Sequence, residues 1–270
     1  RLKITSMKRQ DRNPSYRGKM ELKWHGKGFT VINELPVEQY LYAVVPSELS
    51  TGHKMEALKA QSVCARSYAY NQIAAGRYKK YGADLDDSVS CQVYNNVPED
   101  KRSRKAVKST EGQVITRNGK IVVAYYYSTS WGKSASGKEV WDTSSEISYL
   151  QSSVQVSAQE RKNGNVTNLD LSSDQAFRQF IDQGKTPTYD SRADWYRWNV
   201  TIPVEHLSER VDSALSACYA SDKSKVLTQS RDGSYQSKSP VPLGKIRKIR
   251  VEKREKSGIV TELVVVGENN

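Results

Sequence analysis

The stretch from residue 37 to residue 76 constrains the fold most, because it holds two helical patterns on either side of a proline. The segment Val37–Val45 is rich in apolar residues and contains neither glycine nor proline. Pro46 lacks an amide proton and disfavours helix at the preceding residue, so we predict that the first helix ends just before it. A second helix is predicted over about 54–75, and Gly76 follows it as a C-terminal cap.

A single carboxylate, Glu48, stands in the predicted break between these helices. Lys59 and Arg66 lie two turns apart on one side of the second helix and present two cations. A carboxylate held rigidly between helix ends and partly removed from water can be tuned for proton transfer. A surface glutamate that forms an ordinary ion pair fits the same spacing.

The residues of this stretch resemble the central motif of the stage II sporulation protein D family, which includes the amidase enhancers. The first half of the motif is matched by Glu38, Tyr40, Leu41, Val44, Val45 and Glu48. The second half is matched by Glu56, Ala57, Leu58, Lys59, Ala60, Gln61, Ala65, Arg66 and Tyr68. The resemblance extends over about 16–266, and its specific part is 37–150.

The resemblance implies a lytic transglycosylase that cleaves peptidoglycan, with Glu48 as the catalytic residue. The family's Cys-Gln-x-Tyr element is matched by Cys91–Tyr94, and its substrate-facing Ser-Thr-Ser loop is matched by Ser128–Ser130. The substrate-binding residues expected from these matches are Lys59, Arg66, Gln92, Tyr94, Tyr127, Ser128, Ser130 and Trp131.

The sequence departs from the family pattern at two positions of this loop. Tyr127 stands where many relatives have a histidine, so we do not expect the zinc that some relatives bind, nor any other cofactor. Trp131 stands where the family has the first glycine of the loop, which narrows or reshapes the site. The three cysteines are too few and too far apart for a disulfide framework, and no CxxC pair is present.

The charge of +12, from 42 basic and 30 acidic residues, favours a polyanionic partner. Nucleic acid, anionic lipid headgroups and cell wall are all polyanionic, but no recognised nucleic-acid motif is present, so we expect no nucleic acid as a partner.

The sequence contains no signal-peptide pattern and no run of about 18 apolar residues typical of a membrane helix. The resemblance implies an extracytoplasmic protein, in the wall or anchored by a segment outside this chain. Its implied partners are glycan strands and a cell-wall amidase.

Strand groups mix with helices without regular alternation, which predicts an α+β fold of mixed sheets and hairpins around the central helix pair that carries Glu48. We expect one catalytic domain over 1–270, with 151–270 as a supporting part that ends in a hairpin. Predicted strands and hairpins cover 15–24, 27–35, the end of the loop 82–97, 113–117 with 120–128, 195–202, and 246–254 with 259–266. Further helices are predicted over 98–110, 172–183 and 203–219.

Hydrolysis of a polysaccharide usually needs two carboxylates, whereas the motif supplies one, Glu48. A lytic transglycosylase can work with one, because the substrate's own hydroxyl replaces water. Trp131, Trp141, Tyr94 and Tyr127 are candidates for stacking on sugar rings or for simple packing. Two alternatives stay open: a non-catalytic glycan-binding amidase enhancer, and a nucleic-acid-binding domain suggested by charge alone.

Overall fold

The computed structural model describes residues 1–10, 12–141, 143, 145–163, 169–184, 186–230 and 232–269 of the chain. Helices mix with two-stranded antiparallel hairpins, which confirms the α+β class. The chain divides into two compact units, Arg1–Tyr127 and Ser128–Asn270, which are described separately. The prediction of one catalytic domain with a supporting part from residue 151 stays a prediction beside this division.

The first unit contains three α-helices and three small hairpins within its described residues. Its helices are α1 (Val37–Glu48), α2 (Met55–Ala75) and α3 (Lys101–Ser109), with a 3₁₀ turn at Lys79–Tyr81. Its strands pair in chain order: β1 (Leu2–Lys3) with β2 (Ser15–Tyr16), β3 (Lys19–Trp24) with β4 (Phe29–Glu34), and β5 (Thr116–Arg117) with β6 (Lys120–Ile121).

The helix α1 runs through Pro46 and ends at Glu48, so the predicted end before the proline is wrong. A proline in the last turn forfeits a single hydrogen bond, the one its missing N–H would have made to Tyr42. The Leu49 N–H donates to the Val45 carbonyl at 2.9 Å and closes the helix beyond the proline. Glu48 therefore stands on the last helical residue, and the break between the helices begins after it.

The second helix, α2, is confirmed almost residue for residue. Gly76 follows it in the left-handed conformation, with φ of 62°, and its N–H donates to Gln72 at 3.1 Å. One face of α2 is fully buried at Leu58, Ala65 and Ala69, and these mostly small side chains let α1 and α3 approach closely. The core of the first unit is formed by buried residues of these three helices.

The predicted short strand at Cys91–Tyr94 is wrong, since this segment is irregular. Its backbone groups bond to helices and side chains instead of to a neighbouring strand. The Val93 N–H donates to the Glu48 side chain, and the Asn95 N–H donates to the Ala43 carbonyl of α1. The segment is therefore fixed against α1, which brings it to the end of the helix that carries Glu48.

The second unit contains three short helices, one longer helix and two hairpins within its described residues. Its helices are α4 (Gly137–Trp141), α5 (Ala158–Lys162), α6 (Asp174–Asp182) and α7 (Val204–Ser221), with 3₁₀ turns at Asp194–Tyr196 and Lys223–Lys225. Its strands are β7 (Thr228–Gln229) with β8 (Tyr235–Gln236), and β9 (Lys248–Arg254) with β10 (Val260–Val266). The predicted terminal hairpin and the helices α6 and α7 are confirmed.

The predicted strand over 195–202 is wrong, because the chain forms a 3₁₀ turn at Asp194–Tyr196 and then an irregular segment. Tyr196 is almost fully buried and anchors this turn, while Trp195 and Trp198 are about 70% exposed. In the described part of the chain this segment pairs with no other strand, so it forms no hydrogen-bonded β-ladder.

Among the described residues, no helix combines the length and apolar character needed to span a bilayer.

Candidate active site

The Glu48 carboxylate is half-buried at the C-terminal end of α1. Its Oε1 atom accepts the Val93 N–H at 2.5 Å. This bond is possible because the irregular segment 91–95 is tied to α1 by its own backbone. A carboxylate that accepts a fixed backbone donor has a defined orientation, which proton transfer to a bound substrate requires.

A hydrogen-bonded chain of three side chains continues from Glu48 into the core. The Tyr126 hydroxyl lies beside the Glu48 carboxylate, whose charge contributes to the raised pKa of Tyr126. The Gln92 amide Nε2 donates to the Tyr126 oxygen at 3.1 Å and to the Ala65 carbonyl at 3.2 Å. The Tyr40 hydroxyl donates to the Gln92 Oε1 at 3.2 Å. Every polar atom of the Gln92 side chain is therefore engaged inside the protein.

The two tyrosines of this chain keep their protons at neutral pH. Burial, followed by the neighbouring Glu48 carboxylate, raises the pKa of Tyr126 well above its ordinary value. Burial also raises the pKa of Tyr40 well above its ordinary value, with smaller contributions from Tyr126 and other neighbours. Both hydroxyls therefore keep a proton to donate, and Tyr40 donates its proton to Gln92.

Tyr94 packs behind this chain. Its ring stacks on Tyr40 with centroids 5.2 Å apart and planes at 23°, and its hydroxyl donates to Asn33 Oδ1 at 2.7 Å. Both Tyr94 and Gln92 were predicted as substrate-binding residues, yet the structure buries them to 6% and 1% exposure. Their contacts support Glu48 through Tyr40 and Tyr126, and direct substrate contact stays a prediction for them.

The two predicted cations of α2 have different surroundings. Lys59 pairs with Glu56 one turn earlier at 2.8 Å on the protein surface. Arg66 is fully buried, and its guanidinium binds both oxygens of Glu38 at 2.7 Å. Arg66 thus connects α2 to the start of α1, and the structure gives it a part in holding the helix that carries Glu48. The predicted role of both residues in substrate binding stays a prediction.

Of the remaining predicted site residues, Tyr127 is the last residue of the first unit, and Ser128, Ser130 and Trp131 belong to the second unit. Tyr127 and Ser128 are exposed. Ser130 is buried, where its backbone N–H and hydroxyl both donate to Asp190. The Trp131 indole N–H donates to the Ser257 carbonyl at 2.8 Å. Ser130 and Trp131 are thus fixed by contacts within the second unit, and the substrate role of this loop stays a prediction.

Glu139 and Asp142, in the segment that follows this loop, are candidates for a second carboxylate. Glu139 accepts the backbone N–H groups of Ser136 at 2.6 Å and of Ser257 at 3.3 Å, so it holds together the loops of the second unit. Asp142 lies outside the described residues. No group of three or more histidine, cysteine, aspartate or glutamate side chains able to hold a metal occurs in the described part of the chain. The expectation of no metal stays a prediction.

Sequence reasoning missed the Val93 N–H and Tyr126, both of which contact Glu48. A signal for Tyr126 was present in the alternation of the run that leads to it. Val122 and Ala124 are buried and Tyr126 is partly buried, whereas Tyr125 and Tyr127 are 47% and 61% exposed. A period of two places the middle tyrosine of the three on the inner face. No pattern in the sequence indicates the direction of the Val93 N–H.

A comparison with protein families matches this region to a known one. The family model described as SpoIID, stage II sporulation protein, covers residues 25–117. Over this stretch the chain is similar to the stage II sporulation protein D family. The match includes Glu48 and the Gln92–Tyr94 segment, and it ends before Tyr126 and the Ser128 loop.

Individual members of the stage II sporulation protein D family show moderate identity to the chain. The amidase enhancer of Bacillus subtilis (strain 168) is 36% identical over 110 residues, which is 41% of this chain and 14% of that protein. Stage II sporulation protein D of the same organism is 31% identical over 135 residues, 45% of this chain and 39% of that protein. Its counterpart from Bacillus amyloliquefaciens is 32% identical over 136 residues. The matched region thus spans well under half the length of these relatives.

Proposed function

We propose that the protein is a peptidoglycan lytic transglycosylase in which Glu48 acts first as an acid and then as a base. The observation that supports this most is the setting of Glu48 within the family segment. The carboxylate is half-buried, is oriented by the Val93 N–H, and contacts a protonated Tyr126. This arrangement resembles a proton-transfer group more than a surface ion pair.

In the proposed reaction the protonated Glu48 gives its proton to the glycosidic oxygen between N-acetylmuramic acid and N-acetylglucosamine. The bond from C1 to that oxygen breaks, and the N-acetylglucosamine side leaves as an alcohol. The resulting carboxylate takes the proton of the muramoyl C6 hydroxyl, whose oxygen attacks C1 and closes a 1,6-anhydro ring. Glu48 regains its proton, so one residue completes the cycle without water.

The surroundings of Glu48 in the first unit support a mechanism with one carboxylate. Glu56 is 80% exposed and pairs with Lys59, and Glu38 binds the buried Arg66. Neither acid of the motif is therefore available as the base that a hydrolase would use to activate water. The expected muramoyl product is the 1,6-anhydro sugar, which is lighter than the hydrolysed product by one water.

Mass spectrometry of fragments released from purified peptidoglycan tests this proposal. Wild-type protein should release 1,6-anhydro muramoyl products, and Glu48→Gln should release none, because it keeps the shape and loses the proton. Glu56→Gln is the matched control, since it removes an exposed carboxylate from the same motif, and it should keep its activity. Undiminished cleavage by Glu48→Gln would refute the assignment, and reducing-end muramic acid as the main product would indicate hydrolysis and direct attention to Glu139.

A second candidate function is a non-catalytic glycan-binding protein that stimulates a cell-wall amidase. The observation that favours it is the 36% identity to a protein named amidase enhancer. The two candidates differ in one measurement. A transglycosylase releases fragments from glycan strands by itself, whereas an enhancer binds the strands, releases nothing and increases the turnover of an added amidase. Either function places the protein outside the cytoplasm in contact with the wall.

A further inference from the structure

The hairpin formed by β3 and β4 carries an apolar surface that the described residues of the first unit leave exposed. Leu22 pairs with Val31 and Trp24 pairs with Phe29, so alternate positions put all four side chains on one face. Their exposures are 68%, 42%, 59% and 66%. We call these four residues the hairpin patch. Single exposed apolar residues are common, but a contiguous set at one end of a hairpin indicates an interaction surface.

The hairpin patch continues an apolar face that begins in the core. Met20 lies on the same face, one pair nearer the root of the hairpin, and packs against the core of the first unit. The Trp24 and Phe29 rings lie 4.9 Å apart near the turn, which is the end farthest from this packing. The hairpin is thus packed against the core at one end, and its apolar patch is exposed at the other end, next to the turn.

Cationic side chains surround the tip of this hairpin. Lys27 lies in the turn beside the patch, Lys23 lies on the opposite face of β3 with its ammonium group near Gly82, and no acidic residue occurs between positions 22 and 33. The 3₁₀ turn Lys79–Tyr81 adds two lysines, and the Tyr81 ring lies edge-on to His25 with centroids 5.8 Å apart. The nearest acids in sequence are Glu21 and Glu34, which lie in the hairpin on the side away from its turn, and Asp84, which follows the 3₁₀ turn. The patch therefore has an apolar centre and a positive rim.

We propose that the hairpin patch docks on an anionic membrane surface. In this arrangement Trp24 and Phe29 enter the interfacial region, while Lys27 in the turn extends its ammonium group toward lipid phosphates. Aromatic side chains prefer this region of a bilayer, and basic residues beside it are attracted by its negative surface potential. This inference is independent of the proposed cleavage of glycan.

The geometry of the patch disfavours two other partners. The Trp24 and Phe29 planes are inclined by 60°, so they form no flat platform for a sugar ring, and the other half of the patch is aliphatic. A second copy of this chain would bring two positive rims together, which is unfavourable. A negatively charged surface with an apolar interior complements both the centre and the rim.

Co-sedimentation of the full chain with vesicles tests the proposal. Binding should be strong with phosphatidylcholine vesicles that contain phosphatidylglycerol, weak with phosphatidylcholine alone, and reduced by salt. The double variant Trp24→Ser/Phe29→Ser should weaken partitioning at least about tenfold. Lys27→Gln should weaken it about fivefold.

The matched control is Trp195→Ser/Trp198→Ser, which removes two tryptophans of similar exposure from the second unit and should leave vesicle binding unchanged. Brominated lipids should quench the fluorescence of wild-type protein more than that of Trp24→Phe. Equal binding to both kinds of vesicle, or equal loss in the control, would overturn the proposal. So would a patch variant that loses binding to insoluble peptidoglycan, or one that dissociates a dimer of the wild-type chain in sedimentation velocity.

Discussion

Glu38→Gln should destabilise the first unit strongly, although Glu38 lies at the start of a helix and is partly exposed. Its carboxylate binds the guanidinium of Arg66 through two bonds of 2.7 Å. The other N–H groups of Arg66 donate to the carbonyls of Ser62, Val107 and Gln113 at 3.0 to 3.4 Å. Arg66 is therefore a fully buried cation with complete hydrogen bonding and a single counter-charge.

The size of the destabilisation follows from the state of Arg66 in the Glu38→Gln variant. A glutamine can accept one N–H from Arg66, but its own NH₂ group then faces the second, and the buried cation loses its counter-charge. Breaking a buried ion pair on one side costs about 3–5 kcal/mol. Because the Glu38 side chain is 22% exposed, water can reach the glutamine, and we expect the lower end, about 3 kcal/mol in the free energy of unfolding.

Urea denaturation followed by far-UV circular dichroism measures this cost. Glu56→Gln is the control, because it breaks an exposed pair with Lys59 and should change the free energy of unfolding by less than about 0.5 kcal/mol. Adding Arg66→Met to Glu38→Gln should recover part of the loss, since the unpaired buried cation is gone. A Glu38→Gln variant as stable as wild type, or a double variant less stable than the single one, would refute the reasoning.

Two further predictions concern the first unit. Burial acts to raise the pKa of Glu99, but hydrogen bonding to Arg17 outweighs burial, so the pKa is lowered. The carboxylate therefore stabilises the folded state at neutral pH. This stabilisation is lost as pH falls below about 4.3, the pKa of an unfolded glutamate. Glu99→Gln should therefore lose stability at pH 7 and much less at low pH, as measured by thermal melts across pH; a constant difference would contradict this. Gly18→Ala should destabilise by at least about 2 kcal/mol, because φ is 71° and a Cβ would lie 2.0 Å from the Glu34 carbonyl oxygen. Gly26→Ala, at φ of 76° with open space around it, should lower the free energy of unfolding by about 1 kcal/mol in the same melts. Equal losses of stability in the two variants would show that the contact between the Cβ at position 18 and the Glu34 carbonyl is unimportant.

Signals carried by neighbouring residues predicted much of the fold. The end of α2 at Gly76 follows from a glycine that accepts a left-handed conformation. The turn between β5 and β6 follows from Asn118 and Gly119, which both have positive φ. Pro46 misled the prediction because its cost depends on how many hydrogen bonds it interrupts, and in the last turn of α1 it interrupts one.

Contacts between residues distant in sequence could not be predicted in the same way. The sequence indicated a cation at Arg66 but not that its partner is Glu38, 28 positions earlier. It indicated Glu48 as the acid but not the Val93 N–H, whose direction depends on how the irregular segment 91–95 lies against α1. Such positions are decided by tertiary packing, and the candidate site is built mainly from them.

Tyr126→Phe should lower turnover of glycan without changing the fold of the site. The variant keeps the ring and removes the hydroxyl that contacts Glu48 and accepts from Gln92. A hydrogen bond to a charged group contributes about 1.5–3 kcal/mol, which corresponds to roughly a 10- to 100-fold loss. Because Tyr126 acts through Glu48, we expect the loss in kcat, with KM nearly unchanged.

The same change should also affect stability, since the Gln92 amide is left with one unpaired N–H in a buried position. This costs about 1–3 kcal/mol in the free energy of unfolding. Tyr70→Phe is the matched control: it removes a hydroxyl from a ring that is 39% exposed on α2, and both turnover and stability should stay at the wild-type level. Glu48→Gln/Tyr126→Phe should be no less active than Glu48→Gln alone, because the tyrosine has no carboxylate left to orient. If Tyr126→Phe raised KM with kcat unchanged, Tyr126 would be a substrate contact, and its proposed action through Glu48 would be refuted.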